Sequence, residues 1–134
     1  MNQPRILLVE DDVFLRDVYT EALTTEGFSV TTAEDGEIGL EKIKEGNWDL
    51  ILLDLTLPKL DGFQILRQAR DSGLTDINKK VVILTNNTIN DPDKMQEILE
   101  LSSEYLIKSD LNPQQFVEKV KEFLNQTTPT KVSE

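Results

Sequence analysis

Trp48-Asp49-Leu50-Ile51-Leu52-Leu53-Asp54-Leu55-Thr56-Leu57-Pro58-Lys59-Leu60-Asp61-Gly62 is the stretch that decides how this chain is read. Leu50 to Leu53 is uninterrupted apolar sequence with no position set aside for water. A strand of that kind is buried on both faces, as central strands of parallel sheets are. The run stops on a carboxylate, Asp54, at the strand's carboxyl end, where open α/β sheets place their chemistry. Pro58 and Asp61-Gly62 then turn the backbone away from the sheet. Asp54 is thus a candidate nucleophile at a strand tip, with an incidental strand-ending aspartate as the plainer alternative.

Working outward, strands and helices alternate. Arg5 to Val9 reads as a first strand, followed by Glu10-Asp11-Asp12 and a helix with Leu15, Val18, Tyr19, Ala22 and Leu23 at helical spacing. Gly27 ends it, Phe28 to Thr32 is a short edge-type strand, and Asp35 caps a second helix that stops at Gly46. After the third strand comes a helix over Leu60 to Arg70, then a fourth strand from Lys80 to Thr85. Asp91-Pro92 starts the fourth helix, Tyr105 to Lys108 is a fifth strand, and Asn112-Pro113 with Gln115 opens a fifth helix with a capping box. Five strands alternating with five helices imply a parallel sheet covered on both faces.

The chain has 134 residues, the length of one domain, here 1–126, with 127–134 as a polar tail or linker. Its longest apolar runs are too short to span a bilayer, and the first one is cut by Glu10-Asp11-Asp12, unlike a secretory signal. A soluble, cytoplasmic protein is expected, with no membrane partner. There is no cysteine and no histidine, which excludes thiol chemistry, imidazole bases and a phosphohistidine within this chain. A net charge of −11 disfavours direct contact with nucleic acid.

The residues at the carboxyl ends of the strands carry the chemistry. They are Asp11 and Asp12 after the first, Asp54 at the third, Thr85 at the fourth and Lys108 at the fifth. In a sheet of order 2-1-3-4-5 the first and third strands are neighbours, and the three aspartates converge. Their mutual repulsion calls for a hard divalent cation, and an oxygen-only ligand set suits Mg²⁺. Together an acid pair, a nucleophile, a hydroxyl and an ammonium are the parts of phosphoryl transfer to a carboxylate. Asp54 attacks in line, the ion bridges Asp54 and a phosphoryl oxygen, and Thr85 and Lys108 take up the remaining charge.

These residues resemble a response regulator receiver domain over about residues 5 to 125. Val9-Glu10-Asp11-Asp12, Asp54-x-x-Leu57-Pro58-x-Leu60-Asp61-Gly62, Thr85 and Tyr105-Leu106-x-Lys108 fall in that family's order and spacing. The resemblance implies an α/β, flavodoxin-like three-layer sandwich of order 2-1-3-4-5. It implies a phosphoacceptor of two-component signalling rather than an enzyme, with slow self-dephosphorylation. It implies that a histidine kinase or histidine phosphotransfer protein phosphorylates Asp54. Mg²⁺ would be held by Asp11, Asp12, Asp54 and the backbone carbonyl of Thr56. Thr85 and Tyr105 would form a switch pair that reshapes the face of the fourth helix, fifth strand and fifth helix for a downstream protein. A half-buried strand aromatic is the plainer reading of Tyr105.

Three positions depart from the family pattern. Ser109 stands where proline usually follows the lysine, so a trans Lys108–Ser109 bond is expected. Asn86 replaces a small residue after Thr85, and Leu101-Ser102-Ser103 replaces the usual Gly-Ala turn. Alternatives remain open. The chain could stand alone or be the receiver of a larger regulator. A Mg²⁺-dependent aspartyl phosphatase would need a second acid where Thr56 stands. A flavin module would need a Ser/Thr/Gly-rich loop where Glu10-Asp11-Asp12 stands.

Overall fold

The computed structural model describes residues 3–74, 77–86 and 89–127. Elements alternate along the chain as β1 (Arg5–Val9), α1 (Val13–Thr25), β2 (Ser29–Ala33), α2 (Gly36–Glu45), β3 (Leu50–Asp54) and α3 (Gly62–Asp71). They continue as β4 (Val81–Thr85), α4 (Pro92–Leu101), β5 (Glu104–Ile107) and α5 (Pro113–Thr127). Short 3-10 turns cover Ile77–Lys80 and Lys108–Asp110. The strands form one parallel sheet in the order β2-β1-β3-β4-β5, the flavodoxin-like order expected. Residues 128–134 of the expected tail, and Asn87 and Thr88 of the loop after β4, lie outside the described residues. Among the described residues, no helix is long and apolar enough to cross a membrane.

Strand side chains alternate between faces, and the central strands use both. Leu7, Val9, Ile51, Leu53, Val81 and Ile83 pack with Leu40 and Ile43 of α2, Phe63, Ile65 and Leu66 of α3, and Ile98 of α4. Ile6, Leu8, Leu50, Leu52, Val82 and Leu84 pack with Tyr19 and Leu23 of α1 and Phe116, Val117 and Val120 of α5. On that second face Tyr19 stacks on Phe116, ring centroids 4.2 Å apart. Every residue of β3 and β4 is buried, which is why their sequences read as apolar runs rather than alternating ones.

Local chemistry explains most of the boundaries. Asp35 caps α2 by accepting from Ile38 N at 2.9 Å, and Asp91 caps α4 ahead of Pro92. Asn112 and Gln115 exchange the two bonds of a capping box, at 2.8 and 2.9 Å. Several expected boundaries shift by a residue or two, β2 and β4 each beginning one residue late at Ser29 and Val81. The third helix starts at Gly62 rather than Leu60, because Asp61 and Gln64 form a capping box that fixes its first turn. The fifth strand ends at Ile107, and Lys108 opens a 3-10 turn instead of closing the strand. The Lys108–Ser109 bond is trans, since no described peptide bond is cis. In the turn before β5, Leu101 joins the core and the Ser102 hydroxyl donates to Ile98 O at 2.6 Å.

Candidate functional site

The register of β1 against β3 builds the site. Val9 is level with Leu53, so the next residue, Glu10, comes level with Asp54. Ile6, Leu8 and then Glu10 follow one face by alternation, as do Leu50, Leu52 and then Asp54. Two carboxylates therefore extend the α1/α5 face of the core beyond its last apolar layer. Glu10 is 0% exposed and Asp54 3%. Lys108, 9% exposed, enters from the end of β5; its Nζ donates to Glu10 Oε1 at 2.9 Å and to Asp54 Oδ2 at 3.2 Å.

Backbone groups finish the cradle. Thr56 N–H donates to Asp54 Oδ1 at 3.2 Å and Asp12 N–H to Glu10 Oε2 at 3.1 Å. Arg16 Nη1 donates to the Glu10 carbonyl at 2.9 Å, tying α1 to the strand tip. Burial pushes the Asp54 carboxyl up from 3.8 to about 7; the neighbouring Glu10 charge adds to this, and Lys108 opposes it. For Lys108 burial favours the neutral amine, but hydrogen bonding to Glu10 and the Asp54 charge prevail and raise it above its ordinary value.

Carboxylate oxygens of Glu10, Asp11 and Asp54 lie within 4.8 Å of one another. Asp12, expected to share that cluster, is placed differently: it is the N-cap of α1, its Oδ1 accepting from Leu15 N at 3.0 Å. Glu10 takes its place beside Asp54 because strand pairing levels those two residues. The signal available in the sequence was the alternation Ile6-Leu8-Glu10 matched to Leu50-Leu52-Asp54.

The remaining expected residues lie around this centre. Thr85 ends β4, buried, one residue beyond the level of Asp54. Tyr105 is level with Ile83 on the adjacent strand and is half-buried against the α2/α3/α4 side of the core. Alternation puts Thr85 and Tyr105 on that same face. The Thr56 side chain is exposed, and its backbone is the part that meets Asp54.

Three carboxylates against one ammonium leave two negative charges at a largely buried point. Hard oxygen donors with that surplus fit a divalent cation such as Mg²⁺, and the Asp54 carboxyl, raised first by burial and then by the Glu10 charge, would be relieved by one.

A doubly wound parallel sheet with acids at the switch point between β1 and β3 defines a class of ligand-binding α/β domains. The comparison with known families is specific: the response regulator receiver domain matches residues 6–121. The chain belongs to that family. It is 32% identical over 129 residues to the transcriptional regulatory protein ResD of Bacillus subtilis, covering 96% of this chain and 51% of ResD. A CheY-like receiver domain from Methanospirillum hungatei superposes with a TM-score of 0.80 at 28% identity, over 93% of this chain and 96% of that one. The Thermotoga maritima response regulator TrrA, solved in complex with Mg²⁺-BeF, gives 0.73 at 31% identity, over 90% of this chain and 99% of that one. The chain spans about half the length of ResD.

Proposed function

We propose that Asp54 is the phosphoacceptor and that Glu10, Asp11 and Asp54, with the Thr56 backbone carbonyl, hold Mg²⁺. The observation that carries this reading is the Glu10–Lys108–Asp54 arrangement at the strand tips, with Nζ within 3.2 Å of both acids. Bound there, the ion would neutralise the surplus charge and polarise phosphoryl oxygens. An Asp54 carboxylate oxygen attacks phosphorus, and the bond from phosphorus to the donor's imidazole nitrogen breaks with its electron pair staying on nitrogen. Lys108 stands ready to pair with the added negative charge, and the Thr85 hydroxyl is at the next strand tip to donate to it. The TrrA complex with Mg²⁺-BeF supports the reading by likeness.

In this reading the donor is the phosphohistidine of a histidine kinase or phosphotransfer protein, as the family membership suggests; this chain itself carries no histidine. The output is a change of shape on the face of α4, β5 and α5. Thr85 turning toward the phosphoryl group vacates space on the face it shares with Tyr105, and a downstream protein reads the result. The charge of −11 favours a protein partner over nucleic acid. A second reading, in which this receiver acts joined to an output domain, is favoured by longer relatives named as transcriptional regulatory proteins.

Incubation with acetyl phosphate and Mg²⁺ followed by intact-mass measurement tests the reading. One added phosphoryl group is expected, lost in Asp54→Asn. Unchanged mass in the wild type, or equal labelling of the variant, refutes it.

A further inference from the structure

Residues 55–60 link Asp54 to α3, and they rest on the amino end of α2. Gly36, the first residue of α2, donates its N–H to Pro58 O at 3.3 Å. A Cβ at Gly36 would stand 1.9 Å from Leu60 O and 2.7 Å from the Leu60 carbonyl carbon. Both are backbone atoms, so no change of rotamer makes room. Asp35, which caps α2 through Ile38 N, also holds Lys59 Nζ at 3.4 Å from its Oδ2, and Glu37 Oε1 lies 3.7 Å from the same ammonium. Lys59 has φ 72°, in the left-handed region that side chains with a Cβ rarely occupy. At the inner end Gly62 N–H donates to Leu55 O at 2.9 Å, and a Cβ there would meet Asp54 O at 3.0 Å. The loop is thus pinned at both ends, and its strained residue is held by two carboxylates of another helix.

We propose that Asp35, Gly36 and Lys59 form a latch that seats the 55–60 loop on α2 and so positions the Thr56 backbone at the ion site. They are positioning residues that act through Thr56, whose N–H already contacts Asp54 Oδ1. The inference rests on the receiver reading and deepens it. A loop lifted off α2 would carry Thr56 away from the acceptor carboxylate while leaving Glu10, Asp11, Asp54 and Lys108 where the sheet puts them.

Three variants of the full chain test this: Gly36→Ala, Lys59→Gly and Lys59→Val. Mg²⁺ affinity is read by titration calorimetry in all three, and trypsin cleavage after Lys59 is read in metal-free wild type and Gly36→Ala, which keep that lysine. Gly36→Ala should weaken Mg²⁺ binding about tenfold or more, the scale on which outer residues act at metal sites. It should also expose the Lys59–Leu60 bond to trypsin. Lys59→Gly accepts the left-handed backbone and loses only an exposed ion pair, so its affinity should stay within about threefold of wild type. Lys59→Val cannot relax there and should approach the Gly36→Ala loss. Should Gly36→Ala fail to fold, the two Lys59 variants decide alone. Where the wild type binds Mg²⁺, unchanged affinity in Gly36→Ala and Lys59→Val, or equal losses for Lys59→Gly and Lys59→Val, overturns the latch. A wild type that takes up no Mg²⁺ refutes the receiver reading itself and the latch's role with it; trypsin still reports whether the loop is seated.

Discussion

Asp54 should be a liability to the fold, and removing its charge should stabilise the protein. Its carboxyl is held near 7 instead of at 3.8, first by burial and then by Glu10. Between those two values the native state binds a proton that the unfolded chain has released, so stability falls as pH rises through this window. Above about pH 7 the whole cost is present, and a gap of about three pH units corresponds to about 4 kcal/mol. Asp54→Asn keeps the side chain's shape, cannot ionise, and gives up the attraction to Lys108. At pH 8 without Mg²⁺ it should be more stable than wild type by about 2–4 kcal/mol. At about pH 5.5, midway between the two values, the unfolded carboxyl is already ionised while the native one is protonated, so the difference should be about 2 kcal/mol smaller than at pH 8, and the titration-linked part should vanish only below about pH 4. Urea unfolding followed by Trp48 fluorescence measures this, because Trp48 is the sole tryptophan and only 3% exposed in the fold. Mg²⁺ at a hundred times its dissociation constant should then recover about 2.7 kcal/mol for wild type but much less for the variant. Equal stability of the two proteins at pH 8, or a difference that does not change with pH, would refute the reasoning.

Glu10→Gln should bring the Asp54 carboxyl below 7 by removing the charge beside it, which a carboxyl ¹³C NMR titration would show; an unmoved midpoint contradicts the pairing. Arg67 grips Glu97 through two bonds of 2.6 and 2.8 Å and joins α3 to α4. A double-mutant cycle with Arg67→Gln and Glu97→Gln should return a coupling of about 1 kcal/mol in urea unfolding, at the upper end for a partly exposed pair. Gly39 packs α2 on β1 so closely that a Cβ would lie 2.8 Å from Val9 Cγ1. Gly39→Ala should therefore destabilise by about 1–2 kcal/mol despite its better helix propensity, and stabilisation would mean that the helix can move off the strand freely.

Much of the molecule was legible without coordinates. The apolar run Leu50–Leu53, its stop at Asp54, and the caps at Asp35, Asp91 and Asn112 are short-range signals, set by alternation, helical spacing and hydrogen bonds within a few residues. They determined the element order, the parallel class of sheet and the strand-tip positions of Asp54, Thr85 and Lys108. Two features were decided by tertiary structure, even where the alternation Ile6-Leu8-Glu10 hinted at the first. One is the placement of Glu10 rather than Asp12 beside Asp54, which depends on Val9 pairing level with Leu53 while the Asp12 carboxylate turns to the α1 backbone. The other is the seat of the 55–60 loop on Gly36, where a residue unremarkable in its own helix is fixed by the approach of a distant carbonyl. Hydropathy says which face of a strand is buried, but the level at which two strands meet is set by their hydrogen bonds to each other, and that level chooses which acid enters the site.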